Sequence, residues 1–357
     1  MRLPVSIITG FLGSGKTTLL NRLLQDPAMA GAAVIINEFG EIGLDHLLIA
    51  TPNENTVLLS SGCICCTVRG DLVNTLRDLD KQRRAGDLPP FDRVLIETTG
   101  LADPVPIVQT VVVDEKLAPQ YALDSVITLV DAVNGCAQLD AQPESRKQAA
   151  VADRLLITKT DIADPASVLV LRERLTTLNP AAEVTTASHG EIAPAVLFGA
   201  SIAPESREAD VARWLREGEY RRVETQQTAG AHDAGIRAYS LMLDAPVTRA
   251  GLTAWLTALA SLRGAELLRV KGLLNVEGEP VAVHAVQTLI HEPVTLERWP
   301  DAERRSRLVF ITRNMTREAV ESTLDVLGWQ SEVPSTGVPK PDPQAYARFL
   351  AAMTRMR

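Results

Sequence analysis

The chain has 357 residues, more than one hydrophobic core ordinarily holds, so two domains are expected. An apolar fraction of 46% is that of a soluble globular protein, and a net charge of −8 with no basic block argues against nucleic acid as the main partner. No signal peptide and no apolar run long enough to cross a bilayer is visible, so no membrane association is expected and a cytoplasmic location follows by default. The first 200 residues alternate strands and helices. Apolar strand candidates lie at 3–9, 32–36, 56–60, 93–97, 125–130 and 154–158, with helical stretches near 16–25, 67–84, 104–113, 144–152 and 165–178. Such alternation predicts a mostly parallel sheet covered on both faces, that is, an α/β domain over residues 1–203. Asp103-Pro104 reads as an N-cap followed by proline at the first helical position. Residues 204–235 are polar and small, most of all from Glu224 to Asp233, and read as a linker. Beyond them a strand at 236–243, a helix at 248–261, strands at 266–276, 280–286 and 307–312, and a helix at 316–327 predict a small α+β domain over 236–330 with an antiparallel sheet. Residues 331–357 read as a tail with one short helix near its end.

Residues 10–17 fit the pattern G-x-x-x-x-G-K-[ST], between an apolar strand and a helical run. In that setting Gly10, Gly13, Ser14 and Gly15 allow the backbone to wrap a triphosphate, with the N–H groups up to Thr18 and a helix N-terminus facing the anion. Lys16 supplies positive charge to the β- and γ-phosphates and the Thr17 hydroxyl can ligate Mg²⁺. The strand 93–97 ends in Glu97, a carboxylate suited to hold Mg²⁺ or its water, and Gly100 behind it can bring a backbone N–H to the γ-phosphate. The strand 154–158 runs into Thr158-Lys159-Thr160-Asp161, a guanine-reading pattern with threonine at its usual asparagine position. Asp161 can accept from the guanine N1–H and N2–H₂, donors that adenine lacks there, and Lys159 can lie along the ring, so GTP is favoured over ATP. Thr186-Ala187-Ser188-His189 is a candidate second base-contacting loop.

Three of the four cysteines, Cys63, Cys65 and Cys66, fall within four residues. In a reducing compartment such a cluster points to metal or redox chemistry, and three thiolates leave one position open on a tetrahedral Zn²⁺. Small buried cysteines in a tight turn, or a redox pair, are the alternatives. Cys136 stands alone and reads as a small core residue. Upstream, Asn37 to Asp45 carries Glu38, Glu41 and Asp45 on a loop between the two motifs, where they can polarise water, contact Mg²⁺ or complete a metal shell, with an ordinary solvated loop as the alternative.

Together Gly10 to Thr17, Asn37 to Glu41, Gly62 to Cys66, Glu97 to Pro104, Thr158 to Asp161 and Arg269-Val270-Lys271-Gly272 resemble the CobW-type family of metal-handling P-loop GTPases, most closely its YjiA-like subgroup, over about residues 3–330. The resemblance implies a P-loop NTPase domain followed by a CobW-type C-terminal domain. It implies GTP hydrolysis coupled to delivery of Zn²⁺ or Co²⁺ to an apo-metalloprotein client, with the C-terminal domain as the expected client surface. By position it implies phosphate and Mg²⁺ binding by Lys16 and Thr17, Mg²⁺ support by Glu97, guanine reading by Asp161, and metal transfer through Cys63, Cys65 and Cys66. Ile36 stands where YjiA-like proteins carry a metal-binding glutamate, and no His-rich stretch is present. The expected catalytic groups are Lys16, Glu97 and Glu38, with Glu41 beside the cysteines as a metal ligand. Turnover is expected to be slow because no arginine finger is evident. A metal sensor or buffer without transfer, and a P-loop kinase, are the competing readings, and homo-oligomerisation is left open.

Overall fold

A computed structural model describes residues 2–37, 57–61, 68–202, 206, 208–227, 235–263 and 266–329. The chain divides into two compact units, Met1–Ser201 and Ile202–Arg357.

The first unit runs β1 (Leu3–Gly10), α1 (Lys16–Gln25), β2 (Ala32–Asn37), β3 (Val57–Ser61), α2 (Val68–Ala85), β4 (Arg93–Glu97), α3 (Val105–Val113), β5 (Tyr121–Asp131), α4 (Gly135–Ala141), α5 (Pro143–Val151), β6 (Arg154–Thr158), α6 (Pro165–Leu178), β7 (Glu183–Thr186) and α7 (Pro194–Leu197). Its seven strands lie in the order β3-β2-β4-β1-β5-β6-β7, with every neighbouring pair parallel. Parallel pairing needs a crossover between successive strands, and among the described residues α1, α2, α3, α5 and α6 lie in such crossovers. The central strands therefore read as unbroken apolar runs: Val5, Ile7, Ile8, Val94, Leu95 and Ile96 are all inaccessible to solvent. Leu72, Leu76 and Leu79 of α2 and Leu19, Leu20, Leu23 and Leu24 of α1 form the inward stripes of amphipathic helices. The α/β expectation holds, with a seventh strand added. That strand, β7, is only four residues long and three of them are half-buried, so it lacks an apolar run.

The second unit runs α8 (Glu208–Leu215), α9 (Glu217–Gln227), β8 (Ile236–Leu243), α10 (Arg249–Arg263), β9 (Leu267–Val276), β10 (Glu279–Val286), β11 (Leu289–Ile290), β12 (Val294–Thr295), β13 (Ser306–Arg313), α11 (Arg317–Glu321) and a 3₁₀ turn, Leu324–Gly328. Its sheet is antiparallel in the order β11-β10-β9-β13-β8, with β12 on β10. Trp255 of α10, fully buried, packs edge-on against Phe310 of β13 at 6.3 Å and anchors the core on one sheet face. The stretch 204–235 is not a plain linker, because α8 and α9 occupy 208–227. Val211, Trp214, Tyr220 and Val223 are buried, and this sparse i, i+3 spacing among polar residues hid the helices from a composition reading. The single helix expected at 316–327 is broken after Glu321. Ser322 and Thr323 hydroxyls donate back to the carbonyls of Ala319 (2.9 Å) and Val320 (2.8 Å), competing for acceptors that a continuing helix needs. Among the described residues no helix is long and apolar enough to cross a membrane.

Candidate functional site

The site lies at the C-terminal ends of β1, β4, β5 and β6, where a parallel sheet places its ligand crevice. Gly10 closes β1 in register with Leu129 of β5. Its φ is +142°, and a Cβ there would stand 2.4 Å from the Leu129 carbonyl oxygen, so only glycine fits. Gly13 and Gly15 take left-handed conformations (φ 73° and 91°), and α1 starts at Lys16. The helix therefore opens from a loop whose backbone turns about one point. The Lys16 ammonium donates to the carbonyls of Gly10 (3.0 Å) and Phe11 (3.3 Å), so it is drawn over the loop. Ser14 is fully buried, yet its hydroxyl has no hydrogen-bond partner. A buried polar atom of this kind is costly unless a ligand oxygen meets it. Thr17 is half-buried and Thr18 exposed at the start of the helix.

Glu97 ends β4 and is 4% exposed. Next to it Thr98 donates its N–H to Ile8 (2.9 Å) and its hydroxyl to Thr9 Oγ1 (2.8 Å), which pins the strand end to β1. The Thr99 hydroxyl is a second buried oxygen without a partner. A Cβ on Gly100 would lie 2.7 Å from the Leu12 nitrogen, so the loop behind Glu97 rests directly on the phosphate-binding loop. Asp103 accepts from the Val105 N–H (3.1 Å) through Oδ1, although α3 begins at Val105 with Pro104 rather than Asp103 in the capping position.

On the other side, Thr158 replaces the usual asparagine without losing its tie to the loop: its hydroxyl donates to the Ser14 carbonyl at 2.7 Å. Lys159 has φ +56°, a conformation that β6 imposes on a non-glycine residue at its end. Its ammonium sits 2.8 Å from Asp131 Oδ2. Asp131, at the end of β5, also accepts from the Val133 N–H (2.8 Å) and Asn134 Nδ2 (3.0 Å). Burial pushes the Asp131 carboxyl up, but the bonds from Lys159, Asn134 and Val133 outweigh it and hold the pKa below the ordinary aspartate value. Asp161 is left with long contacts, 3.4 Å to the Ser188 hydroxyl and 3.6 Å to His189 Nε2. Its carboxylate is thus only weakly engaged. The stretch 186–189 is brought beside it by the Ala187 N–H, which donates to Ile157 at 2.8 Å.

The structure thus gathers Gly10, Gly13, Ser14, Gly15, Lys16, Thr17, Glu97, Gly100, Thr158, Lys159 and Asp161 along one edge of one sheet. Sequence reading missed Asp131. Its signal was available: β5, like β4, is an apolar strand ending in an acid. Glu38, Glu41, Cys63, Cys65 and Cys66 lie outside the described residues. Among the described residues no group of three or more His, Cys, Asp or Glu side chains is arranged to hold a metal. Cys136 is half-buried at the start of α4, not a core residue.

Residues 4–186 match the CobW/HypB/UreG nucleotide-binding domain, and residues 236–327 match the cobalamin synthesis protein cobW C-terminal domain. The chain is 35% identical over 322 residues to the zinc chaperone YjiA of Escherichia coli, spanning 90% of this chain and 97% of that protein. It is 30% identical to the zinc chaperone CobW of Pseudomonas aeruginosa, over 90% of this chain and 91% of that one. The crystal structure of Zn(II)-bound YjiA GTPase from E. coli superposes with a TM-score of 0.66 at 31% identity, covering 92% of this chain and 99% of that one. With the motifs, the sheet order and these matches in agreement, the chain belongs to the CobW/HypB/UreG family and carries the CobW C-terminal domain.

Proposed function

We propose that the protein hydrolyses GTP slowly and uses the cycle to bind Zn²⁺ and pass it to a metalloprotein client. The observation that carries the nucleotide half is the Asp161 carboxylate, held at the end of β6 while Thr158 bonds the phosphate-binding loop at 2.7 Å. One strand end thereby spaces base reader and phosphate cradle. Lys16 and the loop N–H groups neutralise the β- and γ-phosphates, while Thr17 and Glu97 are the residues that would hold Mg²⁺. The Lys159 stem lies against the guanine ring and Asp161 accepts from N1–H and N2–H₂. A water oxygen, oriented by Glu38 in this reading, bonds to the γ-phosphorus as the β–γ bridging P–O bond breaks, leaving GDP and inorganic phosphate.

The metal half rests on donor chemistry: three thiols within four residues suit Zn²⁺ and, among alternatives, Co²⁺. In support, relatives covered over nine-tenths of their length are named zinc chaperones. Glu41, upstream between the phosphate-binding loop and the cysteines, is the proposed oxygen donor. In sequence Glu38 comes one residue after β2 and Cys63 two residues after β3, and these two strands are parallel neighbours that pair up to Asn37 and Ser61. Metal is held in the GTP state and released after hydrolysis, and by linkage metal strengthens GTP binding by the factor by which GTP strengthens metal binding. The C-terminal unit is the proposed client surface.

The test is a competition titration with Zn²⁺ and Co²⁺ in the presence of a GTP analogue with Mg²⁺, of GDP with Mg²⁺, and of no nucleotide, with Cys65→Ala alongside. Thiolate-to-Co²⁺ charge-transfer bands that need the analogue and vanish in the variant are expected. Equal metal affinity in all three nucleotide states would refute coupling. Coupled binding without transfer to an apo-client would leave a metal sensor or buffer.

A further inference from the structure

The loop behind Glu97 is gripped by a helix that no motif includes. Gln148 of α5 is 1% exposed, and its amide Nε2 donates to two carbonyls of that loop, Gly100 at 3.1 Å and Ala102 at 2.9 Å. Two carbonyl acceptors fix which end of the amide carries the NH₂ group. The Oε1 end then has no partner, a cost the fold accepts in order to keep the amide there. One residue earlier, the Lys147 ammonium lies 2.5 Å from Asp103 Oδ2, the same carboxylate whose other oxygen accepts from Val105. Three successive points of the loop, at 100, 102 and 103, are therefore tied to one turn of α5.

The holder is itself rigid. The Thr128 hydroxyl of β5 donates to the Gln148 carbonyl at 2.9 Å, and Asn179 Nδ2 bonds the carbonyls of Ala149 (2.7 Å) and Ala152 (2.9 Å) at the end of α5. On its opposite side the loop meets the phosphate-binding loop, where Gly100 leaves no room for a Cβ against Leu12. The loop is thus clamped between α5 and the phosphate cradle. A buried glutamine that served packing alone would not need both N–H donors spent on two carbonyls of one loop.

We propose that Gln148, with Lys147 beside it, is a positioning residue for the γ-phosphate: it sets where the Gly100 backbone and Glu97 stand, so it governs GTP-over-GDP preference and turnover rather than nucleotide binding as such. This rests on the nucleotide reading given above. GDP lacks the group that the loop addresses, so its affinity depends on the cradle and the base site alone.

The experiment compares the wild-type full chain with Gln148→Leu and Lys147→Met. Affinities for GDP and for a non-hydrolysable GTP analogue with Mg²⁺ are measured, with kcat and KM for GTP. The expected result for Gln148→Leu is a fall of about tenfold in the analogue-to-GDP affinity ratio and in kcat, with GDP affinity unchanged. Lys147→Met, at a half-exposed pair, should lower both by about two- to threefold. An unchanged ratio and kcat in folded Gln148→Leu protein would overturn the proposal. A parallel loss of GDP and analogue affinity would also overturn it, because that is what general loosening produces. If circular dichroism shows that Gln148→Leu fails to fold, Lys147→Met decides by the same criteria. A wild-type chain that binds no guanine nucleotide would sink the nucleotide reading and this inference together. Wild-type binding with indifferent variants sinks the inference alone.

Discussion

The two units bury polar groups in different places. In the first, Glu97, Thr98, Asp131 and Thr158 are buried at the C-terminal ends of parallel strands, along one edge. In the second, Arg269, Lys271 and Arg307 are buried within antiparallel strands, on one face. There Lys271 donates to the Trp214 carbonyl of α8 at 3.0 Å and lies over the Trp214 ring, while Arg307 pairs with both oxygens of Asp301. Lys271 and the terminal guanidinium nitrogens of Arg307 are thus paired with the chain's own helix and loop, although Arg307 Nε is buried without a partner. At the strand-end site the Ser14 and Thr99 hydroxyls have no partner at all. Location separates the two cases: a strand end opens on a crevice that a ligand can fill, whereas the middle of a face can be completed only by another piece of protein.

The sharpest break of this comparison is in the second core. Trp255→Ala removes a side chain with no exposed surface and should cost the second unit about 3–5 kcal/mol in a denaturant melt, while guanine-nucleotide affinity stays within about twofold. Nucleotide loss in step with that melt would contradict the independence of the two polar arrangements. In the first unit Lys16→Ala should leave the melt nearly unchanged and weaken GTP and GDP by at least about a hundredfold in a fluorescence titration. Asp131→Asn keeps the shape but weakens the anchor of Lys159; about tenfold loss for both GTP and GDP is expected, with no gain in ATP binding. Adding Lys159→Met to that variant should cost little more, since the two side chains act as one unit.

Acid supplies a test confined to the second unit. His284 is stacked on His291 at 4.4 Å, and burial, then the neighbouring His291, Arg269 and Lys271, hold its pKa well below the ordinary 6.5. The folded state refuses a proton that the unfolded chain accepts, so stability is complete above pH 6.5 and falls as pH drops below it. A loss of about 1 kcal/mol by pH 5.5, absent in His284→Leu, is expected from melts across that range. The smallest effect is Lys271→Met: a buried but well-paired cation replaced by an apolar side chain of similar length should shift stability by no more than about 1 kcal/mol. A large loss there would mean that the face, like the strand-end edge, is built for more than packing.

The phosphate loop, the acid ending β4 and the Thr158-to-Asp161 stretch were legible because each needs particular residues at fixed spacing within one strand and its turn. The parallel sheet was legible for a similar reason, since doubly buried strands read as continuous apolar runs such as Val94-Leu95-Ile96. Helices α8 and α9 were not, because five inward residues, Val211, Trp214, Leu215, Tyr220 and Val223, scattered among charges give only a sparse periodic signal until a sheet face exists for them to cover. Asp131 and Gln148 belong to the same class. Asp131 matters through Lys159, 28 positions away, and Gln148 through Gly100, 48 positions away. By itself the sequence determined the nucleotide-binding motifs, the thiol cluster and the alternation of strands and helices in the first unit, since these are local in the chain. Only the tertiary structure decided which acid holds Lys159, which amide grips the loop behind Glu97, and which groups pair with the buried Lys271 and Arg307, since each depends on strands and helices brought together from distant parts of the chain.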